Sequence, residues 1–232
     1  MCGRASQYAE FSDIERRFGP LVTRAKPDAP ARYNAAPRQS LLVVRRNRSD
    51  GLRVVEAMRW GLIPSWAKDA KIGDRSINAR DIGEDGRGLD ERPMFRDAWQ
   101  AGQRCLVPLN SFFEWKKDGK TRRPYAIGLE DGGLMGVAGL WEPWRDPAGR
   151  GIIRSFTIIT TVANEAMAPL HDRMPVIIAP EDYEIWLTGD PAAAKALLRP
   201  CPADRLRLWP VTPRINKAGD LDGPACVKPL AA

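Results

Sequence analysis

The chain has 232 residues, a 44% hydrophobic fraction and a formal charge of +7 from 36 Lys and Arg against 29 Asp and Glu, which fits one large domain or two small ones and a polyanionic partner. Its longest apolar runs, Phe156 to Ala163 and Val176 to Pro180, are far short of a membrane span, so no membrane partner is expected. Cys2, Cys105, Cys201 and Cys226 form neither a CxxC pair nor a regular framework, which argues against a metal site or disulfide scaffold and makes the cytoplasm the expected compartment.

The first element read from the pattern is a short helix. Ser12 and Glu15 have the spacing of a capping box, Ile14 and Phe18 lie four apart, and Gly19 follows as a stop. A Pro-rich stretch through Arg32-Tyr33-Asn34-Ala35-Ala36-Pro37 leads to β-rich runs at Leu41 to Val44 and Arg53 to Trp60. Residues 61 to 92 are charged, Gly-rich and weakly periodic, which for a compact domain points to a functional loop. A second helix is expected where Pro93 precedes Phe95 and Trp99, with Gly102 as its stop.

From Arg104 to Val162, short runs of Val, Ile, Leu, Phe and Tyr alternate with turns at Asp118-Gly119, Asp131-Gly132-Gly133 and Asp146 to Gly149, the spacing of an antiparallel meander. Helices are expected at Asn164 to Leu170, Glu181 to Leu187 and Ala192 to Leu198, and strands at Met174 to Ala179 and Leu206 to Val211. The stretch after about Val211 is unassigned and either wraps the domain or dangles. The resulting fold class is α+β: one domain over 1–232 with a curled, mainly antiparallel, barrel-like sheet and short peripheral helices.

Four places carry chemistry. Removal of Met1 would leave Cys2 with both an α-amine and a thiol. Such a 1,2-aminothiol condenses with an aldehyde to a Schiff base, which the thiol closes to a thiazolidine. The amine's reference pKa, about 7.7–8.0 against about 10.4 for lysine, leaves part of it nucleophilic near neutrality. His171, the only histidine, stands in Leu170-His171-Asp172-Arg173-Met174-Pro175 at an expected helix-to-strand junction. Glu114 lies in Ser111-Phe112-Phe113-Glu114-Trp115-Lys116. Strand alternation puts it on the face of Phe112 and Lys116, where aromatic neighbours can desolvate it for acid–base work. Asn78 and Arg80, in the irregular segment, suit a sugar oxygen and a phosphate. Of the eight Trp, Trp60, Trp99 and Trp186 are assigned to packing. Trp66 and Trp115, each near lysines, are assigned to a surface on which single-stranded bases stack.

Taken in order, Met1-Cys2-Gly3-Arg4, Tyr33-Asn34-Ala35-Ala36-Pro37, Trp60-Gly61-Leu62-Ile63-Pro64-Ser65-Trp66, Asn78-Ala79-Arg80, Phe113-Glu114-Trp115 and His171-Asp172-Arg173-Met174-Pro175 resemble the SOS-response-associated peptidase family, the abasic-site processing proteins. The resemblance runs to about Val211. It implies a DNA-damage-response enzyme without a cofactor or metal, a monomer with single-stranded DNA containing abasic sites as its partner and the replication machinery as a second. By motif, Cys2 is implied as nucleophile with Asn78, Glu114 and His171 around it. Gly3, Arg4, Pro37, Trp66, Arg80, Trp115, Thr160 and Arg173 are implied as DNA contacts. A weak lyase side reaction and a peptidase activity removing residues before Cys2 are implied too. Two departures stand out: Ala67 occupies a position where some members carry a second Trp, and the phosphate-binding Arg expected just before Met94-Phe95 is either Arg92, shifted by one, or absent. Two other readings compete, a Cys/His thiol hydrolase acting on peptides and a non-covalent single-strand DNA-binding module.

Overall fold

In the computed structural model, residues 2–23, 29–119, 121–217 and 219–230 are described; the expected removal of Met1 lies outside them. In chain order the strands are β1 (Ala5–Gln7), β2 (Arg32–Ala35), β3 (Ser40–Arg46), β4 (Arg53–Trp60), β5 (Asn78–Arg80), β6 (Arg104–Leu109), β7 (Ser111–Asp118), β8 (Thr121–Leu129), β9 (Met135–Arg145), β10 (Ile152–Val162), β11 (Arg173–Pro175), β12 (Ile177–Ile178) and β13 (Leu206–Pro210). The α-helices are α1 (Phe11–Phe18), α2 (Arg96–Gln100), α3 (Tyr183–Thr188) and α4 (Pro191–Ala196).

Strands β10, β4, β3, β6 and β9 pair in that order, and β9 pairs back onto β10, closing a five-stranded barrel. Closure runs through one parallel contact, Ser155↔Arg59 and Phe156↔Trp60, where the ring of Trp60 stacks on Phe156. At Gly139 on β9, an added Cβ would lie 2.8 Å from Thr157 O and 2.9 Å from Cys105 Sγ, so the close strand approach needs glycine there. A second sheet, ordered β13-β8-β7-β1-β2, lies beside the barrel.

The apolar alternation sorts side chains into two clusters. Val43, Cys105, Val107 and Val137 share one with Phe112 and Ile127 of the second sheet, whereas Val44, Leu106 and Ala138 share the other with Ile14, Phe18, Trp99 and Trp186 of the helices. Each fully buried side chain of this size contributes about 1.5–3 kcal/mol. Trp60, Trp99 and Trp186 are core residues, as assigned.

Several expectations need correction. α1 ends at Gly19 as read, but Glu10 is its N-cap and makes no side-chain cap bond, so Ser12 and Glu15 form no capping box. Asn164 to Leu170 is a run of turns, not a helix; Asn164 Oδ1 accepts Met167 N as a cap would, but the i+4 bonds that follow, Ala168 N to Asn164 O and His171 N to Met167 O, are not consecutive, so no helix is sustained. The run from Arg104 to Val162 is no simple meander, because β6 pairs with β3 and β9 while β7 and β8 join the other sheet. The irregular stretch 61–92 contains a 3₁₀ turn at Ala70–Arg75 and the strand β5. The tail after Val211 wraps: Ile215 and Cys226 are fully buried and pack with Phe113 and Ala126, on the opposite face of β7 from Glu114. No described helix is long and apolar enough to cross a membrane.

Candidate active site

The segment around Cys2 is held from both sides. Ala5 pairs with Phe112, Arg4 O accepts Phe113 N at 3.0 Å, and the Ser6 and Ser111 hydroxyls lie 2.6 Å apart. The Gln7 amide ties β1 to the barrel, donating to Leu42 O and Pro108 O and accepting from Leu42 N. These bonds carry Cys2 into the cluster between the two sheets, where it is 1% exposed beside Trp60, Phe112 and Phe156. Burial, and then the Glu114 charge, push the thiol well above its ordinary value, because thiolate is disfavoured both by the apolar surroundings and by a neighbouring anion. Glu114 is itself 5% exposed on β7, on the same face as Phe112 as alternation requires.

Asn78 reaches the cysteine from the barrel side. Its strand β5 runs parallel to β10, Ile158↔Asn78 to Thr160↔Arg80. It is stapled by Trp60 Nε1 donating to Ile77 O at 3.0 Å and by Asp81 N donating to Thr160 O at 2.9 Å. Asn78 Nδ2 donates to Cys2 O at 2.9 Å. Its Oδ1 is buried with no hydrogen-bond partner among the described residues, an acceptor left over for an incoming group.

His171 enters from the turn before β11. Its neighbours Leu170 and Met174 pack in the cluster that buries Cys2, placing the imidazole, with 28% of its side chain exposed, at the border of that cluster. Nδ1 accepts Arg173 N at 3.0 Å. Asp172 Oδ1 lies 2.6 Å from the same Nδ1, a contact that becomes attractive when the ring is cationic.

Around this centre stands a group of arginines. Arg173 donates to Asp81 Oδ1 at 2.7 Å and to Thr160 O, while Thr161 Oγ1 donates to Asp81 Oδ2 at 2.7 Å. With 11% of its side chain exposed, Arg173 is largely a strut. Arg80 is more open and pairs with Glu84, whose side chain is 81% exposed, a partner that solvent or another anion readily exchanges. Arg92 donates to Arg80 O. Burial holds its guanidinium below the usual range, with Arg173 and Arg80 adding repulsion and Asp85 and Asp81 opposing it, so it belongs to this cationic group despite the one-residue shift.

The other expected DNA-binding residues are spread over several elements. Pro37 sits in the turn joining β2 and β3, half-buried, and the adjacent Arg38 N donates to Trp60 O. Gly3 is half-buried, and Thr160 is buried between Arg80 and Pro175. Trp66 is 50% exposed on a turn held by Ser65 N donating to Glu142 Oε2 at 2.6 Å and Trp144 Nε1 donating to Ala67 O at 2.7 Å. Arg4 and Trp115 meet the tail. Arg4 donates to Asn34 Oδ1 and Ile215 O; Trp115 is half-buried, its Nε1 donating to Asn216 Oδ1 at 2.6 Å.

Sequence reasoning missed Asp81, Glu142 and Asn34, each of which orients a named site residue. Asp81 carried a weak signal, an acid beside Arg80 in the Asn78-Ala79-Arg80 motif. Asn34 stood in the Tyr33-Asn34-Ala35-Ala36-Pro37 motif with no role assigned to it, and Glu142 carried no signal, since its partner Ser65 lies far away in sequence.

The seam between the closed barrel and the second sheet thus buries a near-terminal cysteine, with the Asn78 amide on its carbonyl and the Glu114 charge acting on its thiol. The chain belongs to the SOS response associated peptidase (SRAP) family, whose sequence pattern matches residues 1–218. It is 40% identical over 220 residues to the abasic site processing protein YoqW of Bacillus subtilis, covering 93% of this chain and 94% of that one. It is 26% identical to the abasic site processing protein HMCES of Rattus norvegicus, covering 99% of this chain and 76% of that one. A crystal structure of a Bacteroides thetaiotaomicron protein superposes with a TM-score of 0.82 at 25% identity, over 99% of this chain and 100% of that one.

Proposed function

We propose that the protein processes abasic sites in single-stranded DNA by forming a covalent, reversible crosslink through Cys2 once Met1 is gone. The observation that carries this reading is the convergence on Cys2 of two groups from different sheets: the Asn78 amide bonded to its carbonyl and the Glu114 charge felt by its thiol.

In the proposed reaction the α-amine attacks the C1′ aldehyde of the opened sugar, giving a carbinolamine that loses water to an imine. The thiol then adds to the imine carbon and its proton passes to nitrogen, closing a thiazolidine; one water leaves overall. A thiol kept neutral by burial needs a base at this last step, and Glu114 is beside it. Asn78 fixes the cysteine, and its open Oδ1 accepts from the carbinolamine or sugar hydroxyl. His171 donates a proton to the departing ring oxygen as the sugar opens. Reversal through the same groups releases the DNA. Carrying amine and thiol on one residue gives ring closure a high effective concentration, which suppresses strand cleavage by β-elimination from the imine. Removal of whatever precedes Cys2 by this same site is part of the proposal, as is action in the cytoplasm at stalled replication.

The thiol hydrolase reading requires a thiolate paired with imidazolium, and a thiol raised by burial and by Glu114 argues against it. The deciding experiment is incubation with an oligonucleotide containing an abasic site, followed by denaturing electrophoresis. A shifted band is expected from the mature chain and none from Cys2→Ala or from a chain retaining an uncleavable residue before Cys2. A band from the blocked chain, or none from the mature one, refutes the proposal.

A further inference from the structure

The strand that carries Glu114 continues past the site as a two-stranded ribbon. β1 covers β7 only at Ser111 and Phe112, and β13 covers β8 as far as Tyr125, with one further bond from Val211 N to Pro124 O. Beyond Trp115 and Pro124, β7 and β8 pair only with each other, through Lys116↔Arg123 and Lys117↔Arg122 to the turn after Asp118↔Thr121. Lys116, Lys117, Arg122 and Arg123 are all exposed.

Two successive cross-strand rungs, Lys116 with Arg123 and Lys117 with Arg122, therefore carry like charge, an arrangement that by itself disfavours an antiparallel pair. Alternation places the rung of Lys116 and Arg123 on the Glu114 face, about 7 Å further along at the rise of an antiparallel strand. The rung of Lys117 and Arg122 faces the other way, on the side of Trp115. Cations thus project from both faces of a ribbon that starts at the reacting centre.

We propose that the β7–β8 ribbon is a basic arm that holds the sugar-phosphate backbone of the strand flanking the lesion, so that affinity for the strand comes from the arm and covalent chemistry from the seam. This rests on the reading of the protein as a single-strand DNA crosslinker and adds a binding surface to it. Phosphates fit because they meet a row of cations without demanding a base sequence.

The test uses the full mature chain with all four residues changed to Gln, and a charge-preserving swap (K116R, K117R, R122K, R123K) as its control. Non-covalent binding to a single-stranded oligonucleotide carrying a tetrahydrofuran abasic analogue, which has no aldehyde, is measured across a salt series. On a single strand, each phosphate neutralised by the protein adds about 0.7 to the steepness of log K against log salt. If the arm neutralises two to four phosphates, the slope of the Gln variant should be shallower by about 1.4 to 2.8, and the swap should match wild type. Shortening the oligonucleotide on one side of the lesion should erase the difference, identifying the flank the arm holds. The yield of crosslink to an aldehyde-bearing oligonucleotide at saturating protein and low salt should be unchanged. Equal slopes and affinities for wild type and Gln variant, at equal melting temperatures, would overturn the arm and leave its charges as a guard against edge pairing. A wild type that shows the slope difference yet forms no covalent band would instead defeat the crosslinking reading and leave the arm standing.

Discussion

Replacing Glu114 by Gln separates its two effects on Cys2, because they act in opposite directions. Shape and burial are kept, since the side chains are nearly isosteric and the site is only 5% exposed. The negative charge that pushes the Cys2 thiol up is removed. The thiol of the variant therefore ionises at lower pH than wild type, and its alkylation profile, read by mass spectrometry of the Cys2 peptide after iodoacetamide, shifts toward acid. Crosslinking should slow nevertheless, because the base proposed to take the thiol proton during ring closure is gone. Loss of a positioned general base costs about 10²–10⁴ in rate, or about 3–5 kcal/mol. The upper half of that range is expected, as the site's burial keeps water from substituting. The assay is single-turnover crosslinking under saturating protein. A variant that crosslinks at the wild-type rate, or whose Cys2 alkylation profile stays put or moves toward alkali, refutes the reasoning.

Glu142, 2% exposed with Oε1 unbonded among the described residues, has its carboxyl raised above the ordinary 4.5 by burial, partly offset by Ser65. A raised carboxylate destabilises the fold above its folded value, while below about pH 4 both states are protonated and the cost vanishes. Glu142→Gln should consequently raise the melting temperature at pH 7 and leave it unchanged at pH 3.5; a lower melting temperature at pH 7 would sink this account. Ile215→Ala should cost about 2–5 kcal/mol in urea unfolding, as Ile215 is fully buried in the tail, whereas a change below about 0.5 kcal/mol would mean the tail is not anchored. Trp66→Ala should weaken non-covalent single-strand binding by about 1–3 kcal/mol with little change in melting temperature. Unaltered affinity would remove Trp66 from the interface.

Asn78 and Glu114, which the fold brings to Cys2, were legible because they sit in short, self-contained motifs. Glu114 was placed on the face of Phe112 by period-two alternation alone, and both turned inward. The core tryptophans and most strands were legible for the same reason, since hydrophobic periodicity reports burial directly. Pairing was not legible: β5 parallel to β10, and β6 with β3 rather than β7, depend on partners far away in the chain. The same limit hid Asp81 and Glu142, whose meaning lies across the sheet. Trp115 was read as an open surface ring from its neighbouring lysines, yet the tail half-covers it, and a Pro-rich tail without periodicity gave no sign that Ile215 and Cys226 would dock there. The Ser12–Glu15 spacing misled because helix start is decided by backbone entry at Glu10, which local composition did not mark.

The buried, proton-bearing state of the Cys2 thiol also bears on how long the protein keeps. Peroxides and soluble electrophiles attack thiolate rather than thiol, and they need access. A sulfur that is 1% exposed, with its ionisation pushed up by burial and by the Glu114 charge, reacts slowly with both. The burial that surrounds the proposed ring chemistry would thus also slow the loss of Cys2 to oxidation between encounters.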